Sequence, residues 1–264
     1  MKKLPALRIK DFKKIDISRW TVPLITSLVV TVILIISLAT RNGQPQTQKV
    51  SEETTPVIEN PDIIPLPSPS LRSSNSIEAV LKINQPRRSF QTTPLSLKQV
   101  GQMLFAAQGV TANWGGRTVN SEKSVFPLST YLLVKSVEKL EPGLYQYVPG
   151  DRLPAHQLLP LKLGDMIEIL YTIVNQTPLK EPPAVIVLSG NFSKMAEAYG
   201  GVAHNNEVIL EAGAAAQNMY LQAESLRLGM VALPNFDAAN VKSLLSLPGE
   251  ETIFYIIPFG LPQE

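Results

Sequence analysis

Val208 to Gly229 reads VILEAGAAAQNMYLQAESLRLG, and this stretch decides how the rest of the chain is understood. Apolar or small residues at Val208, Ala212, Ala215, Met219, Ala223 and Leu226 recur at spacings of three and four, which is one face of an α-helix. Asn205 or Asn206 is placed to cap its start and Gly229 to end it in a left-handed conformation. The run Ala212-Gly213-Ala214-Ala215-Ala216 is small on every side, so another backbone or a flat ligand can approach closely. A helix of that composition belongs in the middle of a domain.

Outward from it, the chain divides by composition. Its 264 residues are 44% apolar, enough for one folded domain with attachments. Residues 1–19 hold seven Lys or Arg against two Asp, leaving 17 basic and 20 acidic side chains in the remainder. The sequence pI of 8.7 therefore reports the tail, and nucleic-acid binding is not expected. The absence of Cys removes disulfides, thiolate metal sites and cysteine nucleophiles. The two histidines, His156 and His204, stand far apart, so no metal site is expected.

Residues 20–40 contain WTVPLITSLVVTVILIISLA, Trp20 to Ala39, a charge-free run long enough to span roughly 30 Å as a helix. It reads as a membrane span. The basic cluster ahead of it places the N-terminus in the cytoplasm and the following chain outside. A cleaved signal peptide is the alternative, since Ser37-Leu38-Ala39 resembles a cleavage site. Residues 41–75 are rich in Pro, Ser, Thr and Gln and read as an extended spacer. The folded domain is expected over 76–264.

Within that domain, helices are expected at Ser76–Asn84, at Leu95–Gln108 with a Ser96/Gln99 capping box, at Asp165–Val174 and at Asp237–Leu247. Strands are expected at Leu128–Val137, Gly143–Tyr147, Ala184–Leu188 and Thr252–Phe259. They do not come at even βαβ intervals, so an α+β layered domain is the expectation. Alternation puts Tyr145 and Tyr147 on one face of their strand, as packing residues and not proton donors.

Several stretches in this order resemble the nitroreductase superfamily, and most closely its SagB-type dehydrogenases. Glu211-Ala212-Gly213 with Gln217-Asn218 and Leu228-Gly229 is similar to that family's central helix and following strand. Gln85-Pro86-Arg87-Arg88-Ser89-Phe90, Pro94-Leu95-Ser96-Leu97 and Leu104 to Thr111 are similar to its RRSxRxF, PLSL and LLWAAQGIT elements. Arg117 to Pro127 resembles RTVPSAGALYP, and Gly143 to Tyr147 resembles GLYRY.

The resemblance implies a nitroreductase-like central mixed or antiparallel sheet flanked by helices. It also implies a homodimer that holds flavin mononucleotide (FMN) in clefts at its interface, with hydride chemistry carried by the flavin. Carried over by motif, the cofactor-binding residues are Arg87 and Arg88 for the phosphate or pyrimidine, Ser121 and Ser124 for the ring or ribityl chain, and Asn235 beside the ring. No catalytic acid or base stands out.

The chain departs from the pattern at Gln85-Pro86, at Glu122-Lys123 in place of a small residue and glycine, at Pro234-Asn235 in place of a glycine pair, and at Leu261. Proline has no N–H to offer a flavin. An exported domain would also have to acquire its flavin outside the cytoplasm. Two functions follow: a membrane-anchored FMN-dependent oxidoreductase acting on an unknown organic substrate, or a flavin-free domain of the same fold serving as a tethered binding or assembly module.

Overall fold

The computed structural model describes residues 62–150 and 156–263. The expected basic tail, the membrane span and the spacer as far as residue 61 lie outside the described residues. Among the described residues no helix is long and apolar enough to cross a membrane.

Seven strands form one sheet: β1 (Ile64–Pro65), β2 (Leu128–Val134), β3 (Gly143–Val148), β4 (Gln157–Leu163), β5 (Ala184–Asn191), β6 (Gly229–Met230) and β7 (Glu251–Gly260). Their spatial order is β1-β4-β3-β2-β5-β7-β6 and every pairing is antiparallel, so of the two sheet types expected the antiparallel one is found. Helices are α1 (Ile77–Ile83), α2 (Leu97–Gln108), α3 (Ile167–Val174), α4 (Phe192–Ala198), α5 (Asn205–Ser225) and α6 (Ala238–Leu245).

The central strands read as continuous apolar runs because both of their faces are covered. Along β2 and β5, Leu132, Val134, Ile186 and Leu188 join the core beneath α2 and α5. Their neighbours Tyr131, Leu133, Val185 and Val187 join the opposite core beneath α3 and α6. Side chains alternate across a strand, so one run of sequence builds two hydrophobic layers. Each fully buried Leu or Ile contributes on the order of 2 kcal/mol.

The helix that organises the sequence is α5. It buries Val208, Glu211, Ala212, Ala215, Ala216, Met219 and Ala223, and its alanines let α2 pack against it. Its ends differ from expectation. His204 holds the N-cap position without a side-chain cap, and Asn205 and Asn206 lie inside the first turn, where Glu207 faces the positive end of the helix dipole. At the other end Arg227 takes the left-handed conformation, at φ 58°, and the Leu228 N–H donates to Ala223 O. Gly229 instead opens β6, where a Cβ would stand 2.7 Å from the Arg87 Cβ. Close packing of the Arg87 side chain, not a turn, requires that glycine.

The domain begins earlier than residue 76. Ile64 pairs with Leu158, Leu66 is buried, and Gln102 accepts from Ser70 N at 2.7 Å and donates to Ser70 O at 3.1 Å. A Pro-rich stretch has few backbone donors to satisfy, and here a buried glutamine amide takes the place of a strand partner. Strand β4 and helix α4 were not expected. Pro160 disguises β4, and a register shift between Leu144 and Tyr145 accommodates it. Tyr145 and Tyr147 both lie in the core, with Tyr145 Oη donating to Glu141 O at 2.6 Å.

Candidate functional site

Arg87, Arg88, Ser121, Ser124 and Asn235 do not converge within one chain. The Arg87 N–H donates to Met230 O at 2.9 Å, Met230 pairs with Phe259, and Phe259 pairs with Ala184 at the start of β5. Arg87 is half-buried there and Arg88 is exposed. Ser121 belongs to the other end of that strand, in the loop that leads to Pro127, whose carbonyl accepts from Asn191 N at 3.0 Å. Seven residue steps along β5 separate the two ends, roughly 20 Å. Asn235 follows Leu233, which bridges Ile256 halfway along β7. It is exposed, and its carbonyl accepts from Gln176 Nε2 at 2.5 Å.

The Ser121 loop is held in an unusual backbone. Lys123, Ser124 and Phe126 have φ of 51°, 55° and 49°, a region that costs each about 1 kcal/mol or more. Side chains compensate. Phe126 N donates to Ser121 Oγ at 2.8 Å, and Lys194 Nζ donates to Phe126 O at 3.0 Å. Lys123 Nζ reaches Ala198 O at 3.1 Å and lies 3.6 Å from the Tyr199 ring centroid. Tyr199 Oη donates to Glu122 Oε1 at 3.1 Å. Glu122 and Lys123, two residues that depart from the resembled motif, therefore clasp the loop onto Tyr199 at the end of α4.

Beside that loop sits a residue to which the sequence motifs assign no role. Glu211 is 4% exposed, and neither carboxylate oxygen has a hydrogen-bond partner among the described residues. Burial pushes its pKa up to about 7, against the pull of Ser121, Arg117, Gln108 and Lys194. The nearby cations are engaged elsewhere: Arg117 Nη1 donates to Gln108 Oε1 at 2.8 Å, and the guanidinium lies 4.4 Å from the Phe126 ring centroid. Gln108 Nε2 is a second buried atom without a partner. The signal was legible: Glu211 stands three after Val208 and four before Ala215, a carboxylate on the apolar stripe.

A cavity of about 450 Å³ opens over Glu211, walled by Thr118, Ser121, Glu207, Leu210 and Asn218 among others. A second, of about 520 Å³, lies between residues 70–77, α2 and the last turns of α5. Thr118 and Asn218 border both, and Asn218 Nδ2 donates to Thr118 O at 2.9 Å.

Other polar groups are structural. Glu251, at the start of β7, accepts from Ser129 Oγ at 2.9 Å, Tyr131 Oη at 3.0 Å and Ser189 Oγ, all from the sheet face beneath α3 and α6. His156 is buried against Pro67 O at 2.8 Å, and burial lowers its pKa. His204 stacks on Tyr199 with ring centroids 3.6 Å apart and meets Glu207 at 3.1 Å. No group of side chains that could hold a metal occurs among the described residues.

Comparison with known proteins gives one consistent answer. A family model described as the nitroreductase family matches residues 87–261. A protein of Methanocaldococcus jannaschii described as a nitroreductase is 31% identical over 184 residues, covering 70% of this chain and 90% of that one. A structure from Ralstonia eutropha, also described as a nitroreductase, superposes with a TM-score of 0.64 at 25% identity, over 79% of this chain and 94% of that one. A chain of the Escherichia coli microcin synthetase McbBCD complex, bound to truncated pro-MccB17, superposes with a TM-score of 0.58 at 18% identity, over 97% and 99% of the two chains. That last likeness concerns the fold alone.

Proposed function

Because this chain belongs to the nitroreductase family, we propose that it is an FMN-dependent oxidoreductase that works as a homodimer on a small organic substrate. The observation that carries the reading is the division of the motif residues between opposite ends of β5. Arg87 and Arg88 lie at one end, Ser121 and Ser124 at the other and Asn235 between, so a cofactor touched by the arginines of one chain can meet both serines only if a second copy supplies them. Helix α5 offers a surface for that copy, with Leu210 72% exposed beside the half-exposed Ile209.

The residues fit the cofactor. The exposed guanidinium of Arg88 makes no ion pair among the described residues and suits a phosphate. The exposed Asn235 N–H donates to no backbone or side-chain acceptor there, so a donor remains next to Pro234. Bound FMN would supply hydride chemistry at N5. What this chain contributes is binding, orientation and the exclusion of water by a loop fixed through Glu122 and Lys123.

We place the enzyme on a membrane through residues 20–40, with the domain on the extracytoplasmic side, on the strength of the charge-free run and the basic residues ahead of it. Resistance to extraction by alkaline carbonate supports that anchoring, and release into the soluble fraction removes it.

A second reading, a flavin-free binding module, is favoured by Pro234 and by Lys123 at a left-handed position where the resembled motif has glycine. The visible spectrum and the mass of the released small molecule separate the two. One FMN per chain upholds the oxidoreductase. A folded, dimeric, colourless protein upholds the module.

A further inference from the structure

We propose that the buried Glu211 carboxyl is a positioning group that works as a proton-operated latch on Phe126, fixing the 121–126 loop while neutral and loosening it once ionised. The observation behind this is that Phe126 and Glu211 draw on the same three groups. Phe126 has a φ of 49° and is held from three sides. Ser121 Oγ accepts its N–H at 2.8 Å, Lys194 Nζ donates to its carbonyl at 3.0 Å, and the Arg117 guanidinium lies 4.4 Å from its ring centroid. Ser121, Arg117 and Lys194 are also groups that pull on the Glu211 carboxyl, with Gln108 as the fourth. A residue in the left-handed region keeps that conformation only while its surroundings enforce it.

The carboxyl is placed to compete for these holders. Both of its oxygens are buried without a partner among the described residues, and so is Gln108 Nε2, a donor on the neighbouring helix. Arg117 and Lys194 stay with Gln108 Oε1, the Phe126 ring and the Phe126 carbonyl, and neither forms an ion pair with Glu211 among the described residues. That division of donors suits a neutral carboxylic acid. An ionised one in the same low-dielectric place would attract both cations and the Ser121 hydroxyl, and each that turned toward it would leave Phe126.

The charged groups around Glu211 are Arg117 ahead of the loop, Lys194 from α4 and, on α5 itself, Glu207, which His204 engages at 3.1 Å; α2 contributes the neutral Gln108. With burial raising the carboxyl to about 7, the change of partners falls near neutral pH. The consequence for the cofactor rests on the reading above. Ser121 and Ser124 are the residues that a second copy lends to the flavin, so the latch of one protomer would set how firmly FMN is held against its partner. The loosening of the loop itself does not depend on flavin.

The test is hydrogen–deuterium exchange of the full-length chain in detergent at about pH 6 and about pH 8, corrected for the intrinsic rate and read on the 121–128 peptide. That peptide holds the amides of Ser124, Val125 and Phe126, which donate to Ser121 O, Glu122 O and Ser121 Oγ. Their exchange is expected to be about tenfold faster at the higher pH in the natural chain and equally slow at both in Glu211→Gln. Lys194→Met, which removes one holder, is expected to exchange fast at both. Exchange independent of pH in the natural chain, the same rise in Glu211→Gln, or a parallel rise in the β5 amides overturns the latch, the last because it means opening of the whole domain. FMN affinity should fall by about tenfold over that range in the natural chain and stay level in Glu211→Gln. Level affinity in the natural chain overturns the link to the cofactor. A chain that binds no FMN at either pH sinks the oxidoreductase reading and leaves the latch to be decided by exchange.

Discussion

Replacing Glu211 by Gln is expected to make the protein more stable above neutral pH and to change it little in mild acid. The folded-state pKa is raised from an ordinary value of 4.5 to about 7 by burial. Between those two values the native state holds a proton that the unfolded chain has released. Stability from this group is therefore full below the unfolded pKa and is lost as pH rises through 7. The shift spans about two and a half pH units at ~1.4 kcal/mol each, so ionised Glu211 costs on the order of 3 kcal/mol at pH 8. At pH 5 most of that cost has gone, and less than about 1 kcal/mol remains.

Glutamine keeps the volume and cannot ionise. With a urea m-value of about 2 kcal/mol/M, the variant should unfold roughly 1.5 M later than the natural chain at pH 8 and at nearly the same urea concentration at pH 5. Far-UV circular dichroism along urea gradients at the two pH values measures both differences. A gap of equal size at both, or a natural chain more stable at pH 8 than its variant, refutes the buried, unpartnered carboxyl.

Glu251→Leu should lower stability by about 3 kcal/mol in the same urea assay, because Ser129, Tyr131 and Ser189 each lose an acceptor. Adding Ser189→Ala should return part of it, and no recovery would mean that the hydroxyls had found other partners. Lys123→Gly should leave stability nearly unchanged, since relief of a left-handed φ offsets the lost tether to Ala198 and Tyr199. Lys123→Val loses the tether and adds β-branched strain, about 2 kcal/mol together, and a valine variant as stable as the glycine one refutes that account. Leu210→Asp should shift the sedimentation coefficient from dimer to monomer, and an unchanged dimer removes α5 from the interface. Arg88→Ala should weaken FMN retention on gel filtration if its guanidinium holds the phosphate, and undiminished retention would withdraw that role.

Much of the architecture was legible because its cause is local. The capping box at Ser96 and Gln99 forms as the residues indicate, with Gln99 N donating to Ser96 Oγ at 3.3 Å. Strands β2 and β5 announce themselves as apolar runs. What was hidden has non-local causes. Gly229 is fixed by a chain 142 residues earlier in sequence, at Arg87. Residues 62–75 look like spacer until Gln102 and His156 are placed beside them. The site was legible as residue types and not as a place: motif order suggests that Arg88 and Ser121 share a pocket, while β5 holds them a strand's length apart. Glu211 could be found by periodicity, but its lack of partners could not, because that depends on where Arg117 and Gln108 spend their donors.

The strap formed by residues 62–70 also fixes how the domain meets mechanical load. Any tension arriving through the chain ahead of Asp62 enters at β1, whose two residues pair only with the outer edge of β4. Next in line stand the bond from Leu66 N to His156 O and the paired amide of Gln102 on Ser70. These links would open in succession, as a zip and not as a sheared sheet. A pull that peels the strap would bare α2 and the wider cavity while β2, β5 and β7 still carried no load. This short edge attachment is thus also a fuse, which would yield before the hydrophobic layers at the domain's centre.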